Sequence, residues 1–286
     1  MKKPWLASAN SSVTEWINDY IKIINSRKYA LKTWSNKTAM LKQLSAAIGD
    51  REIIEITPRD LDSFIQSYAS RDKLSAAKQA FVLVRDVFRE AWMAGLVQYS
   101  PAIPLKPPRN KVKRSRLVLS EWQRIYKTSK TECQPYMQHA LALAITTSQR
   151  RGDISKMRRK DIWDDHLHIE QEKTGFKLAL PLALYCPALG MTLAEVIERC
   201  PGKDYLLANK RIMPWSITTG FKKVRDKAFS GGRWKHPPTF NEQRSLAERI
   251  YREAKVDTQR LLGHKSRYMT DQYNDNRGRE WNRLIL

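Results

Sequence analysis

Pro101-Ala-Ile-Pro-Leu-Lys-Pro-Pro-Arg-Asn-Lys-Val-Lys-Arg-Ser-Arg116 divides this sequence into two regions of different character. Pro101, Pro104, Pro107 and Pro108 each lack a backbone donor and fix φ, so no helix runs through the stretch. Lys106, Arg109, Lys111, Lys113, Arg114 and Arg116 place six positive charges here with no acid between them. Like charges packed this closely repel one another unless a polyanion neutralises them, which favours a strap lying on phosphates. A solvated tether is the alternative reading of the same residues.

Working back from the break, residues 1–104 predict a helical bundle with almost no strand signal. Ser12-Val-Thr-Glu15 has the capping-box spacing, and Val13, Trp16, Ile17, Tyr20, Ile21 and Ile24 follow at helical intervals. A second helix is expected over 30–48 with Leu31, Trp34, Leu41 and Leu44 inward and Gly49 at its end. Thr57-Pro-Arg-Asp60 offers an N-cap, a first-turn proline and an early acid for a third. A fourth spans about 74–94 and stops at Gly95. Trp16, Trp34 and Trp92 are read as core residues rather than base-stacking platforms.

Beyond a linker assigned to 105–116, residues 117–286 read as mainly helical α+β with a small sheet. Ser120-Glu-Trp-Gln123 is expected to cap a helix, and 135–147 forms an apolar one central to the second core. His166–Glu172 and Phe176–Leu182 alternate with period two about a Lys173-Thr-Gly175 turn, predicting a hairpin. Further helices are expected at about 192–199, 216–229 and 239–254, the last behind Thr239-Phe-Asn-Glu242 as a capping box.

The chain has 286 residues, enough for two cores, with 52 Lys and Arg against 29 Asp and Glu for a net charge of +23. A fold carrying this much self-repulsion calls for an anionic partner, either nucleic acid or an anionic membrane. The sequence has no apolar run of about 18 residues and no signal-peptide core, so the expectation is a cytoplasmic protein, and nucleic acid is the leading anion. Cys133, Cys186 and Cys200 are widely spaced, which argues against a disulfide scaffold or a cysteine zinc site.

The chemistry-bearing residues lie in the second region. Thr147-Ser-Gln-Arg150-Arg151-Gly-Asp153 puts a basic pair between two helices; Asn241 and Arg244 stand three apart at a helix start; Leu261-Leu-Gly-His264 precedes Tyr273 by nine residues. In this order they resemble the tyrosine recombinases, most closely the lambda-type phage integrases. That pattern has T-G-x-R-x-x-E/D, matched by Arg150 and Asp153, and a hairpin lysine, matched by Lys173. Its H-x-x-R is matched at Arg244, with Asn241 in place of His, and L-G-H and the following Tyr are matched by His264 and Tyr273. Ser148 stands where the pattern has Gly, and the tail from Tyr273 to Trp281 is similar too. The likeness spans nearly the whole chain. About a dozen residues precede the first helix, so the extra N-terminal arm-binding domain of lambda-type integrases is not expected in this sequence.

The resemblance implies a core-type DNA-binding bundle followed by a catalytic domain, and a homotetramer acting on paired core attachment sites in double-stranded DNA. Accessory DNA-bending proteins would assist it, in a bacterial host and associated with the nucleoid. Attack of Tyr273 on a phosphodiester would create a transition state whose equatorial oxygens gain charge, and guanidinium forks at Arg150 and Arg244 match those oxygens. His264 would assist the phenol or position a phosphate oxygen, Asn241 would donate a hydrogen bond, and Lys173 would protonate the leaving 5′ oxygen. Asp153 reads as a buried buttress and Arg151 as a phosphate contact. The scheme calls for no metal or nucleotide, since arginines carry the charge and the phosphotyrosine link conserves bond energy. Two rivals share these residues: a catalytically impaired DNA-binding relative that occupies recombination sites, and a monomeric type IB topoisomerase.

Overall fold

The computed structural model describes residues 10–109 and 114–274; Lys111, Lys113 and the tail beyond Asn274 lie outside them. The chain separates into two compact units, Met1–Val112 and Lys113–Leu286.

The first unit is four helices: α1 (Val13–Asn25), α2 (Leu31–Ile48), α3 (Pro58–Ala69) and α4 (Leu74–Met93). Ser12 and Glu15 close the expected capping box on α1, and Thr57 and Asp60 do the same on α3. The helices bury Trp16, Tyr20, Leu41, Leu44, Leu61 and Phe88 completely. Each such side chain contributes about 1.5–3 kcal/mol by leaving water. The α1 side of this core carries polar hydrogen bonds: Tyr20 and Arg27 both donate to Asp86, at 2.6 and 2.7 Å. Gly49 is required by close approach, because a Cβ there would lie 2.2 Å from the Ser45 carbonyl and 2.3 Å from Thr14 Oγ1.

Two inward assignments fail here. Leu31 is 88% exposed and Trp92 47% exposed, while Trp34 only partly packs on the core. Leu31 is the first residue of its helix, before the neighbouring helices close over it, so helical spacing alone overstated its burial.

The second unit opens with α5 (Leu119–Glu132) and α6 (Tyr136–Thr147). The α5 helix begins one residue before Ser120, and Glu121 accepts from the Val118 N–H, so the cap is the acid alone. As expected, α6 is central: every residue from Ala140 to Thr147 is buried. It ends at Ser148 in the left-handed region, φ 55°, a conformation that favours glycine.

After the short α7 (Arg151–Ile154) come β1 (Ile162–Trp163), β2 (His166–Glu170) and β3 (Lys177–Pro181), an antiparallel sheet with His168 opposite Ala179. The two hairpin strands are shorter than the alternation predicts: beyond Glu170 and Lys177 the Gln171 N–H still donates to the Phe176 carbonyl at 2.9 Å, and residues 172–175 turn between them. A second small sheet, β4 (Tyr185–Cys186) with β5 (Met191–Thr192), leads into α8 (Leu193–Glu198). The remaining helices are α9 (Pro214–Ala228), α10 (Glu242–Glu253), α11 (Thr258–Leu262) and α12 (Arg267–Asn274).

The α10 helix starts at Glu242 rather than near Thr239, and its N-cap Asn241 makes no side-chain cap. The Glu242 carboxylate faces Arg116 instead, 3.3 Å from Nη1. The three cysteines are free thiols. Among the described residues, no helix is long and apolar enough to cross a membrane.

Candidate active site

Four of the expected residues converge inside the second unit. Arg150 sits at the N-cap of α7, two residues after the left-handed Ser148. Arg244 lies on the buried face of α10 and is only 3% exposed. Its Nη1 donates to the Ser148 carbonyl at 2.5 Å, and its Nη2 donates to the Leu262 carbonyl at the end of α11. Gly263 adopts φ 63°, turning the chain so that His264 comes back toward Arg244. His264 Nε2 is 3.2 Å from Arg244 Nη2, and its Nδ1 is 3.0 Å from Thr270 Oγ1. A guanidinium only donates, so Nε2 accepts and Nδ1 carries the proton toward Thr270.

Tyr273, near the end of α12, closes the group. Its ring lies 5.1 Å from the His264 ring and 5.6 Å from the Arg244 guanidinium carbon. Four consecutive residues are each held by a different side chain. His264 meets Thr270, Arg252 pairs with Asp271 at 2.8 Å, Arg116 donates to the Gln272 carbonyl at 2.7 Å, and Ser245 donates to the Tyr273 carbonyl at 2.6 Å.

The electrostatics are those of an anion receptor. Burial, followed by the charge of Arg150, lowers the Arg244 pKa to about 10, which leaves it charged at neutral pH. Burial and the same two arginines push His264 down to about 4, so it is neutral. The hydrogen-bond acceptors the arginines meet are neutral, Gln171 Oε1 for Arg150 and backbone carbonyls and His264 Nε2 for Arg244, and the Asp153 carboxylate acts on Arg244 through its charge. Arg244 Nε is buried without a hydrogen-bond partner. Two cations with neutral acceptors and one unused donor suit a phosphate, whose oxygens accept several charge-assisted bonds at once.

Lys173 and Asn241 lie outside this cluster, and both are exposed. The Lys173 loop is anchored from below, where Asp153 Oδ1 accepts from the Glu172 N–H at 2.9 Å, and Asp153 is itself 3% exposed. Asn241 stands in the turn immediately before α10.

Of the DNA-contact candidates, Lys106, Arg109, Arg114 and Arg151 are exposed, with Arg151 donating to Thr218 Oγ1. Arg116 departs from its expectation. It is 6% exposed and engaged by Glu242 and the Gln272 carbonyl, because the strap tucks its last residue under α10.

Sequence reasoning missed Gln171. This fully buried amide accepts from Arg150 and from Thr174, and donates to Gln149 Oε1 at 2.7 Å and to the Leu262 carbonyl at 3.0 Å. It joins the hairpin, the α6–α7 turn and the end of α11. The signal was present: Leu167, Ile169 and Gln171 share one strand face, and the third is polar where the pattern turns inward.

Comparison with known proteins follows the same division. Residues 115–280 match the Phage integrase family and residues 12–107 the Phage integrase central domain. The integrase of Enterobacteria phage P21 is 42% identical over 94% of this chain and 76% of its own length. Prophage integrase IntE of Escherichia coli K12 is 36% identical over 96% of this chain and 78% of its own. The structure of a lambda integrase tetramer bound to a Holliday junction superposes with a TM-score of 0.89 at 33% identity, covering 97% of this chain and 82% of that one.

Proposed function

Because the chain belongs to the Phage integrase family, we infer that it is the site-specific recombinase of a phage or prophage, cutting and rejoining DNA through a 3′-phosphotyrosine. The observation that carries this reading is the joint placement of Arg150, Arg244, His264 and Tyr273 around a site where two arginines outnumber the one nearby carboxylate, Asp153.

Tyr273 Oη attacks the scissile phosphorus, the P–O bond to the 5′ oxygen breaks, and that oxygen leaves with a proton from Lys173. Arg150 and Arg244 hold the non-bridging oxygens as their charge grows. Arg244 turns its unused Nε–H and one terminal N–H to the phosphate. His264 is neutral, and its Nε2 accepts from Arg244 and so steers that guanidinium; once Arg244 turns to the phosphate, the single Nε2 lone pair is freed to take the proton the phenol loses as it attacks. Asn241, at the lip of α10, donates its amide to a phosphate oxygen. Asp153 fixes the Lys173 loop without transferring a proton. Lys106, Arg109, Lys111, Lys113, Arg114 and Arg151 contribute phosphate contacts outside the reacting centre.

The partner is double-stranded DNA carrying core attachment sites. The related lambda tetramer on a four-way junction supports a homotetramer here, with DNA-bending accessory proteins assembling the two sites. The test is a nicked suicide duplex built from the genomic sequence flanking the element. A covalent protein–DNA adduct is expected with the wild-type chain and none with Tyr273→Phe, which should bind equally well. Binding without any adduct in the wild type would favour a protein that only occupies its sites, and relaxation of plasmid lacking any such site would favour a topoisomerase.

A further inference from the structure

Arg116 comes from a segment whose other cations are read as phosphate contacts, yet it is withdrawn from solvent. Its guanidinium spans two points. Nη1 faces Glu242 Oε2 at 3.3 Å, and Nη2 donates to the Gln272 carbonyl at 2.7 Å. Glu242 is the first residue of α10, two before Arg244; Gln272 is the residue before Tyr273. One side chain thus bridges α10, which carries Arg244, and α12, which carries the tyrosine.

The flanking chain is fixed to the same face. Ser115 N–H donates to the His236 carbonyl at 2.9 Å, and Arg249 donates to the Leu117 carbonyl at 2.6 Å. Arg116 therefore has a fixed backbone from which to hold α12.

We propose that Arg116 is a positioning residue for Tyr273, acting through the Gln272 carbonyl rather than on a DNA phosphate. The proposal rests on Tyr273 being the nucleophile. In-line attack is sensitive to displacement of the attacking oxygen, and an error of about 1 Å can cost roughly 10²-fold in rate. A planar fork can satisfy a carboxylate and a carbonyl together, whereas lysine offers one compact charge on a flexible stem. The charge of Arg116 is already balanced by Glu242, which is buried to 6% exposure, so a phosphate is not needed to neutralise it.

The experiment compares single-turnover adduct formation on the suicide duplex at saturating protein. The proteins are wild type, Arg116→Lys, and the double variant Arg116→Gln/Glu242→Gln, which leaves no buried carboxylate uncompensated. Both variants should form adduct about 10- to 10²-fold more slowly. The slope of log affinity against log salt should not change. The same slowing should persist on a 5′-bridging phosphorothiolate duplex, whose sulfur leaving group needs no acid, because the defect lies on the nucleophile's side. Wild-type rates in Arg116→Lys, a salt slope flatter by about 0.9, or rescue by the phosphorothiolate would each overturn the proposal. Adduct formed by Tyr273→Phe would instead overturn the nucleophile on which it rests.

Discussion

Ser148 and Arg244 hold each other by reciprocal bonds. The Arg244 guanidinium donates to the Ser148 carbonyl at 2.5 Å, and the Ser148 hydroxyl donates to the Arg244 carbonyl at 3.4 Å. Ser148 does this at φ 55°, so the conformation that ends α6 also aims the carbonyl that orients the arginine. Any L side chain pays about 1–2 kcal/mol in that region, Ser148 included, and a β-branched one crowds it further. Ser148→Val should lower unfolding free energy by about 1 kcal/mol and slow cleavage, while Ser148→Gly, free of the strain serine already bears, should be at least as stable as wild type and cleave near its rate. Denaturant midpoints and single-turnover rates check this; equal loss in both variants would show that the hydroxyl matters more than the turn.

Gln171 carries a second expectation. Gln171→Ala leaves Arg150 Nη1 without its acceptor and Gln149 Oε1 without its donor, and leaves the Leu262 carbonyl with Arg244 alone. With Arg150 free to swing, cleavage at matched DNA occupancy should fall by about 10²-fold, with affinity little changed. A loss confined to affinity would place Gln171 in DNA binding instead.

The pH dependence of stability follows from His264. Unfolded, the imidazole takes a proton near pH ~6.5; folded, burial and then Arg244 and Arg150 hold its pKa down to about 4. Above the unfolded value both states are neutral and this group adds no slope. As pH falls from there toward the folded value, the unfolded chain binds the extra proton, and stability drops by up to about 1.4 kcal/mol per unit. His264→Gln should therefore lose stability less steeply than wild type across that window, measured by urea midpoints. Identical slopes would mean the imidazole is not the titrating group.

At Asn241 the amide can donate to a phosphate oxygen but cannot carry a positive charge. Loss of one oriented donor typically costs about 10²–10³ in rate, and a neutral donor should recover part of it. Cleavage should rank Asn241→His above wild type above Asn241→Ala. If wild type and the alanine variant are equally inactive while histidine restores cutting, the natural chain is an impaired binder. A histidine variant no faster than wild type would remove Asn241 from the chemistry.

Helix starts with reciprocal caps, at Ser12 and Thr57, were legible because cap and apolar spacing agree within a few residues. Thr239 and Glu242 show the same spacing without the same outcome, since a carboxylate within reach of a buried arginine is better placed there than on a backbone N–H. Arg150, Arg244, His264 and Tyr273 could be picked out by order and residue type. Arg116 and Gln171 could not be assigned in the same way, because the partners of Arg116 lie 126 and 156 residues away in sequence and all but one of those of Gln171 lie 21 to 91 residues away. Local pattern reports which face a residue occupies, and only the folded chain reports what it meets.

The four successive holds on α12 also bear on how that helix comes loose. Of its residues only Thr270 is buried, while Tyr268 is 75% and Met269 43% exposed. Its attachment is therefore made largely of polar bonds that water can replace, and little apolar surface would be uncovered by detachment. Such a segment opens at far lower free energy than the core it rests on. Native-state hydrogen exchange should find the amides of residues 267–274 exchanging through sub-global opening while those of α6 wait for complete unfolding, so Tyr273 would ride on a segment that opens ahead of the core of its unit.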